Sequence, residues 1–278
     1  MKVADPERNA DATLGFAARA IDGGAQVVVF PELGLTGYSC GDLFFSLTTL
    51  VAGAERALER VLRETAGRPT VLVLGLPVLQ GGRLFNAAAV IQSGRILGVV
   101  PKTFLPGYKE YYEERWFSSA REAREGEVLL AGQAAPFGTD ILFQLPEDPG
   151  VTLAVEICED LWAPIPPSSR HAVAGATVLL NPSASNDLVA KAEYRRELVR
   201  QQSGRTLSAY VYANAGVHES TTDLVFGGHL LVAENGVLLA EGERFRREGE
   251  LVVTDVDVER LRVERARQTS FADAVHAA

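Results

Sequence analysis

Residues 151–162 read VTLAVEICEDLW, a continuously apolar run that leads into a cysteine placed between two glutamates. The run is rich in β-branched residues and has no regular polar face, as is typical of a strand buried on both sides. Similar runs recur along the chain: AQVVVF (25–30), TVLVLGL (70–76), AAAVI (87–91), ILGVV (96–100), ATVLLN (176–181), AYVYANA (209–215), GGHLLVA (227–233), GVLLAE (236–241) and LVVTDVDV (251–258). The pattern predicts buried sheets covered by helices.

Between these runs, apolar residues recur at helical spacing. They predict helices through residues 7–21, 43–66, 164–174, 187–207 and 257–267. The sequences SGR (93–95) and ENG (234–236) lie between apolar runs and predict hairpin turns, because Asn and Gly adopt positive φ at little steric cost. No linker of low complexity divides the chain, so we expect one α/β domain of stacked layers over residues 1–278.

The composition excludes several classes of protein. The chain has 278 residues, 47% of them hydrophobic, which is enough for a substantial core. A net charge of -9 argues against nucleic acid or an anionic membrane as the main partner. The polar start MKVADPERNA lacks the apolar core of a signal peptide, and no apolar run approaches the length of a membrane span. We therefore expect a cytoplasmic protein that acts on a small molecule.

Two cysteines and four histidines show no ligand spacing, so the sequence predicts no metal site. Cys40 has only Asp42 nearby as a charged neighbour and is interpreted as structural.

Three residues of reactive type follow predicted strands. Glu32 lies in FPELGLTGY (30–38), Lys102 in PKTFLP (101–106) and Cys158 after VTLAVEI. Carboxyl ends of strands open into the crevice where ligands bind, so the three side chains can converge. A glutamate base, a cysteine nucleophile and a lysine beside a developing oxyanion would together attack an amide. Taken alone, each has an ordinary alternative: a packed thiol, a solvated turn carboxylate and a surface ammonium.

Longer motifs decide between these alternatives. FPELGLTGYSCGDLF (30–44), PKTFLPGYKEYYEERWF (101–117), EICEDLWAPIPPSS (156–169) and NPSASNDLVAKAEYRRELV (181–199) resemble the glutaminase domain of glutamine-dependent NAD synthetases, a branch of the nitrilase or carbon–nitrogen hydrolase superfamily. The resemblance covers almost the whole chain. It implies a four-layer αββα sandwich and a catalytic triad of Glu32, Lys102 and Cys158. Glu159, which directly follows the cysteine, is interpreted as structural.

The same resemblance implies further contacts with L-glutamine, from Tyr38, Tyr108, Glu113, Trp162, Ser185 and Lys191. Glu113 would receive the substrate's α-ammonium or orient Lys102, and Ser185 and Lys191 would bind its α-carboxylate. Tyr108 and Trp162 also fit ordinary core positions, and Lys191 fits a charged helix face.

Two departures from the family pattern bear on the expected function. The ATP-dependent synthetase domain that receives the ammonia has no counterpart here, and no pyrophosphate-binding loop of the type SGGxDS occurs. We therefore expect no cofactor on this chain; ATP, magnesium and deamido-NAD would belong to a separate synthetase domain or subunit. The family also begins with one more strand than MKV provides, which would expose the backbone of the neighbouring strand. The resemblance further implies a homo-oligomer.

Two other functions stay open at this stage. One is a free-standing nitrilase-type amidase that acts on another small ω-amide, and the other is a truncated scaffold without activity. A Cys-His-Asp hydrolase fits less well, because His171, His218, His229 and His276 match no partner for either thiol.

Overall fold

The computed structural model describes residues 1–124, 126–145 and 148–277. Its α-helices are α1 (Pro6–Asp22), α2 (Ala52–Glu64), α3 (Pro167–Val173), α4 (Lys191–Thr206), α5 (Val258–Arg267) and α6 (Thr269–Ala277). Helix α1 begins after Asp5, whose side chain accepts a hydrogen bond from the Arg8 backbone N–H, with proline at the first helical position.

The strands of the described residues form two six-stranded sheets. The first contains, in spatial order, β1 (Val27–Val29), β2 (Val71–Gln80), β3 (Arg83–Gln92), β4 (Arg95–Pro101), β6 (Gln133–Phe137) and β5 (Gly126–Leu130). The second contains β12 (Val237–Glu241), β11 (Leu230–Glu234), β10 (Ala209–Asn214), β9 (Val178–Ser183), β8 (Asp148–Val155) and β7 (Phe143–Leu145). Both sheets are mixed: β1 and β2 are parallel, as are β8, β9 and β10, whereas β2, β3 and β4 are antiparallel.

Side chains at alternate positions of β2 point into two different cores. Val71 and Val73 point into a core shared with Leu153 and Leu180 of the second sheet. Leu72 and Leu74 point the other way, into a core shared with α1 and α2. Because successive residues of a strand face opposite sides, both faces of β2 are apolar and both are buried.

The outer face of the second sheet is covered in the same way. Tyr210 and Leu179 pack there with Val199 of α4. The order of layers is therefore helix, sheet, sheet, helix, and the predicted four-layer αββα sandwich is confirmed. Full burial of a Leu or Val side chain contributes about 1.5–3 kcal/mol, so the three apolar interfaces carry most of the fold's stability.

The predicted hairpin turns are present. Ser93 and Gly94 have φ of 51° and 79° between β3 and β4, and Asn235 and Gly236 have φ of 45° and 80° between β11 and β12. Two consecutive residues with positive φ match the right-handed twist of the flanking strands.

Two predicted elements differ in the structure, and four further elements were not predicted. The helix expected over 43–66 is a 3₁₀ helix (Gly41–Phe45) and a π turn (Leu47–Val51) before α2, because Ser46 adopts a non-helical ψ of 69°. The segment 251–258 is not a strand, since it pairs with none of the described strands. Strands β5, β6 and β7 and helix α6 were not predicted.

A cavity of about 1230 Å³ lies beside β1 and is also lined by residues 251–257. Among the described residues β1 pairs on one side only, with β2, so its other edge faces this cavity.

Candidate active site

Glu32, Lys102 and Cys158 each follow the carboxyl end of a strand. Glu32 lies three residues after β1, Lys102 directly after β4, and Cys158 three residues after β8. Gly75 of β2 permits the turn that carries Glu32, because a Cβ at this position would lie only 2.3 Å from the Leu33 backbone nitrogen. The Leu35 N–H donates to the Gly75 carbonyl at 3.0 Å and fixes the turn against the sheet.

A buried ammonium joins two carboxylates at the centre of the site. Lys102 Nζ lies 2.6 Å from Glu32 Oε1, 2.7 Å from Glu113 Oε1 and 2.9 Å from Glu113 Oε2. The side chains of all three residues are at most 1% exposed. Burial lowers the pKa of Lys102, but the charges of Glu113 and Glu32 outweigh it and raise that pKa well above its ordinary value. Lys102 is therefore a fixed positive charge.

Glu113 is the second carboxylate of this cluster. It also accepts hydrogen bonds from the Tyr38 hydroxyl at 2.7 Å and from Asn86 Nδ2 at 3.3 Å. Burial raises the pKa of Glu113, with Lys102 opposing and Glu32 adding to the increase. Both of its oxygens are thus occupied by groups of the protein itself.

Glu32 keeps one oxygen free. Its Oε1 accepts from Lys102 and from Asn86 Nδ2, the latter at 2.6 Å. Its Oε2 is buried and has no hydrogen-bond partner among the described residues. A buried acceptor without a donor is rare and costs about 1–3 kcal/mol, so this oxygen is suited to accept a proton.

Cys158 begins a 3₁₀ turn (Cys158–Trp162) with a positive φ of 46°. For a residue other than glycine this conformation costs about 1–3 kcal/mol, and such strain clusters at functional sites. The Cys158 N–H donates to Asn181 Oδ1 at 3.0 Å. Burial raises the pKa of the thiol well above its ordinary value, the charge of Glu32 adds to this, and Lys102 opposes it. Burial at this position therefore favours the neutral thiol over the thiolate.

Two further buried carboxylates hold loops around the cluster. Asp160 accepts three backbone N–H groups, two of them directly after Lys102. Burial raises the pKa of Asp160 to about 8, and the N–H groups of Ile157 and Phe104 counteract this increase. Glu219 accepts the N–H groups of Tyr38 and Ser39, both at 3.0 Å.

Lys191 lies between two aromatic rings at the start of α4. Its Nζ is 5.1 Å from the centre of the Trp162 ring and 5.9 Å from that of Tyr111, and it donates to Asn186 Oδ1. Burial lowers the pKa of Lys191. The geometry leaves further N–H donors of this ammonium for an anion.

Ser185 and Tyr108 occupy different depths. Ser185 is 2% exposed, and its hydroxyl oxygen accepts from Arg195 Nη2 at 3.3 Å. Tyr108 is half exposed, and its hydroxyl donates to Glu159 Oε1 at 2.8 Å.

The structure thus joins Tyr38 and Glu113 to Lys102 and Glu32 by direct hydrogen bonds. Trp162 and Lys191 form a separate pair, and Tyr108 contacts Glu159. Sequence reasoning missed Asn86, Asn181, Asp160, Arg195 and Glu219. A signal existed for Asn86 alone, as the one polar residue inside the apolar run LFNAAAVI (84–91).

Comparisons with known proteins identify the family. The carbon–nitrogen hydrolase profile matches residues 1–266. The chain belongs to the carbon–nitrogen hydrolase family. This hydrolase is 46% identical over 271 residues to the glutamine-dependent NAD(+) synthetase of Mycobacterium tuberculosis (strain H37Rv), covering 98% of its own length and 40% of the relative's. The synthetase of Arabidopsis thaliana is 27% identical, with 97% and 38% covered. The resemblance noted in the sequence is confirmed.

Solved structures agree with this assignment. The glutamine-dependent NAD(+) synthetase of Cytophaga hutchinsonii superposes with a TM-score of 0.77 at 29% identity, over 88% of the hydrolase and 39% of that chain. An amidase of the nitrilase superfamily from Nesterenkonia superposes with a TM-score of 0.72 at 24% identity, over 96% of the hydrolase and 91% of that chain, and supports the fold alone. Among the described residues of the hydrolase, none of the helices is long and apolar enough to cross a membrane.

Proposed function

We propose that this hydrolase cleaves the side-chain amide of L-glutamine, with Cys158 as nucleophile, Glu32 as general base and Lys102 as the charge beside the oxyanion. One structural observation carries the proposal: the buried Oε2 of Glu32, which has no hydrogen-bond partner among the described residues, belongs to the same cluster as the buried Lys102, and Asp160 ties the turn of Cys158 to the two residues after Lys102. The 46% identity to proteins named for their dependence on glutamine supports this choice of substrate.

In the first step, Cys158 Sγ attacks the carbonyl carbon of the amide while its proton moves to Glu32 Oε2. Because the pKa of this buried thiol is raised, proton transfer and attack are coupled, and a thiolate is not formed beforehand. The carbonyl oxygen becomes an oxyanion that Lys102 stabilises. A preorganised donor of this kind contributes about 3–4 kcal/mol to the transition state.

The tetrahedral intermediate then collapses. Glu32 gives the proton to the leaving nitrogen, ammonia departs, and a γ-glutamyl thioester remains on Cys158. Water adds to the thioester, with Glu32 accepting its proton, and glutamate leaves as the thiol is restored. Each proton taken by Glu32 is returned within the cycle, so the enzyme ends unchanged.

Lys102 must share its donors between the carboxylates and the oxyanion. An ammonium has three N–H groups, and Nζ has three oxygens within 2.9 Å. Two of these oxygens belong to Glu113, so an approaching oxyanion would compete for the N–H that Glu113 holds with its second oxygen.

For the substrate's other groups, we propose that Lys191 and Ser185 bind the α-carboxylate and that Tyr108 and Trp162 wall the pocket. Because both oxygens of Glu113 are engaged inside the cluster, orienting Lys102 is the better-supported of its two expected roles. Tyr38 then acts by holding Glu113.

The ammonia released would serve the amidation of deamido-NAD to NAD by a synthetase domain or subunit, which would bind the ATP and magnesium. The chain spans 40% of the length of its mycobacterial relatives, and these are named as NAD(+) synthetases. We further propose a cytoplasmic location and a homo-oligomer. Two free cysteines fit a reducing compartment.

The proposal is tested by ammonia release from L-glutamine by the purified chain. We expect release that is abolished in Cys158→Ala and retained in Cys40→Ala, the matched thiol outside the cluster. Release that survives Cys158→Ala would refute the nucleophile. No release from folded wild-type chain would favour the scaffold.

Lys191→Met separates glutamine from simpler amides. Removing the cation should raise KM for glutamine by about 10- to 100-fold, because this ratio corresponds to the free energy of one charge-assisted hydrogen bond. Hydrolysis of propionamide, which has no α-carboxylate, should be unchanged. Equal effects on both amides, or none on glutamine, would reject the α-carboxylate contact and favour the free-standing amidase.

A further inference from the structure

Asp160 lies two residues after Cys158 and bridges two loops of the site. Its Oδ1 accepts the backbone N–H groups of Thr103 at 3.1 Å and Phe104 at 2.8 Å. Its Oδ2 accepts the N–H of Ile157 at 2.9 Å. The donors are therefore the two residues directly after Lys102 and the residue directly before the nucleophile.

These contacts are shielded from water. Asp160 is 2% exposed. A hydrogen bond to such a group contributes about 0.5–1.5 kcal/mol when the carboxyl is neutral and about 1.5–3 kcal/mol when it is ionised. Three of them hold both loops on a single rigid group.

The bridge also closes the strained turn at Cys158. The Asp160 N–H donates to the Ile157 carbonyl at 3.0 Å, while the Asp160 side chain accepts from the Ile157 N–H. The residue between them is Cys158, with its positive φ of 46°. A non-glycine residue keeps such a conformation only when its surroundings enforce it.

We propose that Asp160 is a positioning residue that sets the placement of Lys102 relative to Cys158 by joining the two loops that carry them. The inference rests on the proposed amidase chemistry, in which these two side chains act on the same carbonyl group. A displacement of about 1 Å in such a pair costs about a hundredfold in rate.

Asp160→Asn is the first test. The amide keeps the shape of the carboxyl group but replaces one of its oxygens with an NH₂ donor, which leaves one acceptor oxygen for three N–H donors. We expect kcat for glutamine to fall by about 30- to 100-fold, with KM within about threefold of wild type, because the substrate's α-groups are not touched. A raised KM with unchanged kcat would overturn the proposal.

Asp257→Asn is the matched control. Asp257 also accepts a backbone N–H, that of Arg260 at 2.9 Å, but it begins α5 and contacts none of the catalytic side chains. We expect its kcat to stay at the wild-type value. An equal loss of kcat in this variant would mean that any lost backbone cap lowers activity, which would also overturn the proposal.

Alkylation of Cys158 by iodoacetamide, in a Cys40→Ala background, gives a readout that needs no turnover. Burial, together with the charges of Glu32, Glu113 and Glu159, raises the pKa of Cys158, and the charge of Lys102 lowers it. If Asp160→Asn lets Lys102 move away, the midpoint of the pH profile for alkylation should shift upward. An unshifted profile would contradict the proposal.

The alkylation profile also distinguishes a failure of the proposed function from a failure of the role proposed for Asp160. A wild-type chain that releases no ammonia would end the proposed function, whereas the shift in alkylation would still support Asp160 as the group that places Lys102. Asp160→Glu keeps the carboxyl group but adds a methylene, and we expect it to fold with kcat lowered at least about tenfold. If neither variant folds, Asp160 serves the fold and the proposal fails.

Discussion

Glu113→Gln tests how the second carboxylate controls Lys102. The change keeps the size of the side chain but removes its charge and replaces one acceptor oxygen with an NH₂ donor. In the wild type, both oxygens of Glu113 lie within 2.9 Å of Lys102 Nζ, and Tyr38 and Asn86 also donate to them. The side-chain NH₂ that Glu113→Gln introduces must therefore face at least one of the N–H or O–H groups that donate to Glu113 in the wild type.

The size of the effect follows from these contacts. One charge-assisted hydrogen bond to Lys102 is worth about 1.5–3 kcal/mol, which corresponds to a fall in kcat of about 10- to 150-fold. Because Glu113 is 1% exposed and fully engaged within the protein, KM for glutamine should stay within about threefold of wild type.

The pH dependence carries a second signature. Burial raises the pKa of Glu113, so its protonation begins at a higher pH than for an ordinary carboxyl and has the same effect as the glutamine substitution. Wild-type kcat should therefore fall as the pH drops through this raised value, and Glu113→Gln should lack that fall.

The assay is steady-state ammonia release at several pH values, with Glu114→Gln as the exposed neighbouring control. A kcat within about twofold of wild type, or a tenfold rise in KM at constant kcat, would refute the account of Glu113. If the fall in kcat at low pH persists in Glu113→Gln, that fall belongs to the protonation of another group.

Three further predictions follow from the packing around the site. Alkylation of Cys158 by iodoacetamide should rise steeply above neutral pH, because burial raises the thiol's pKa; a rate already constant by pH 6 would contradict this. Cys40→Ala should retain wild-type kcat and lose about 1 kcal/mol of unfolding free energy in urea titrations, since it removes the hydrogen bonds of Cys40 Sγ to the carbonyls of Thr36 and Gly37. Gly75→Ala should abolish ammonia release, because the added Cβ displaces the turn that carries Glu32. Gly15→Ala is the control: nothing lies within 4 Å of its added Cβ, and it should stabilise α1 by about 0.5–1 kcal/mol. An active Gly75→Ala enzyme would contradict this prediction.

The sequence predicted those features that depend on local pattern. Continuous apolar runs identified the central strands, and Asn235 and Gly236 identified a hairpin by their tolerance of positive φ. The run 251–258 was misleading, because alternation of apolar residues predicts an extended chain but cannot supply the neighbour that makes it a strand.

The site was predictable only in part for a similar reason. Glu32, Lys102 and Cys158 were predicted because each follows a predicted strand and lies in a motif that resembles the family. Asp160 and Glu219 could not be, because their importance lies in which distant backbone groups they accept: Glu219 binds the N–H of a residue 181 positions away. Such partners follow from the way the two sheets pack together.

The central claim is that the reaction passes through an acyl-enzyme on Cys158. Acid quenching during turnover of L-glutamine, followed by peptide mass spectrometry, tests it directly. We expect a γ-glutamyl thioester on the peptide that carries Cys158 and none on the peptide that carries Cys40. Ammonia release with the adduct on any other residue would contradict it.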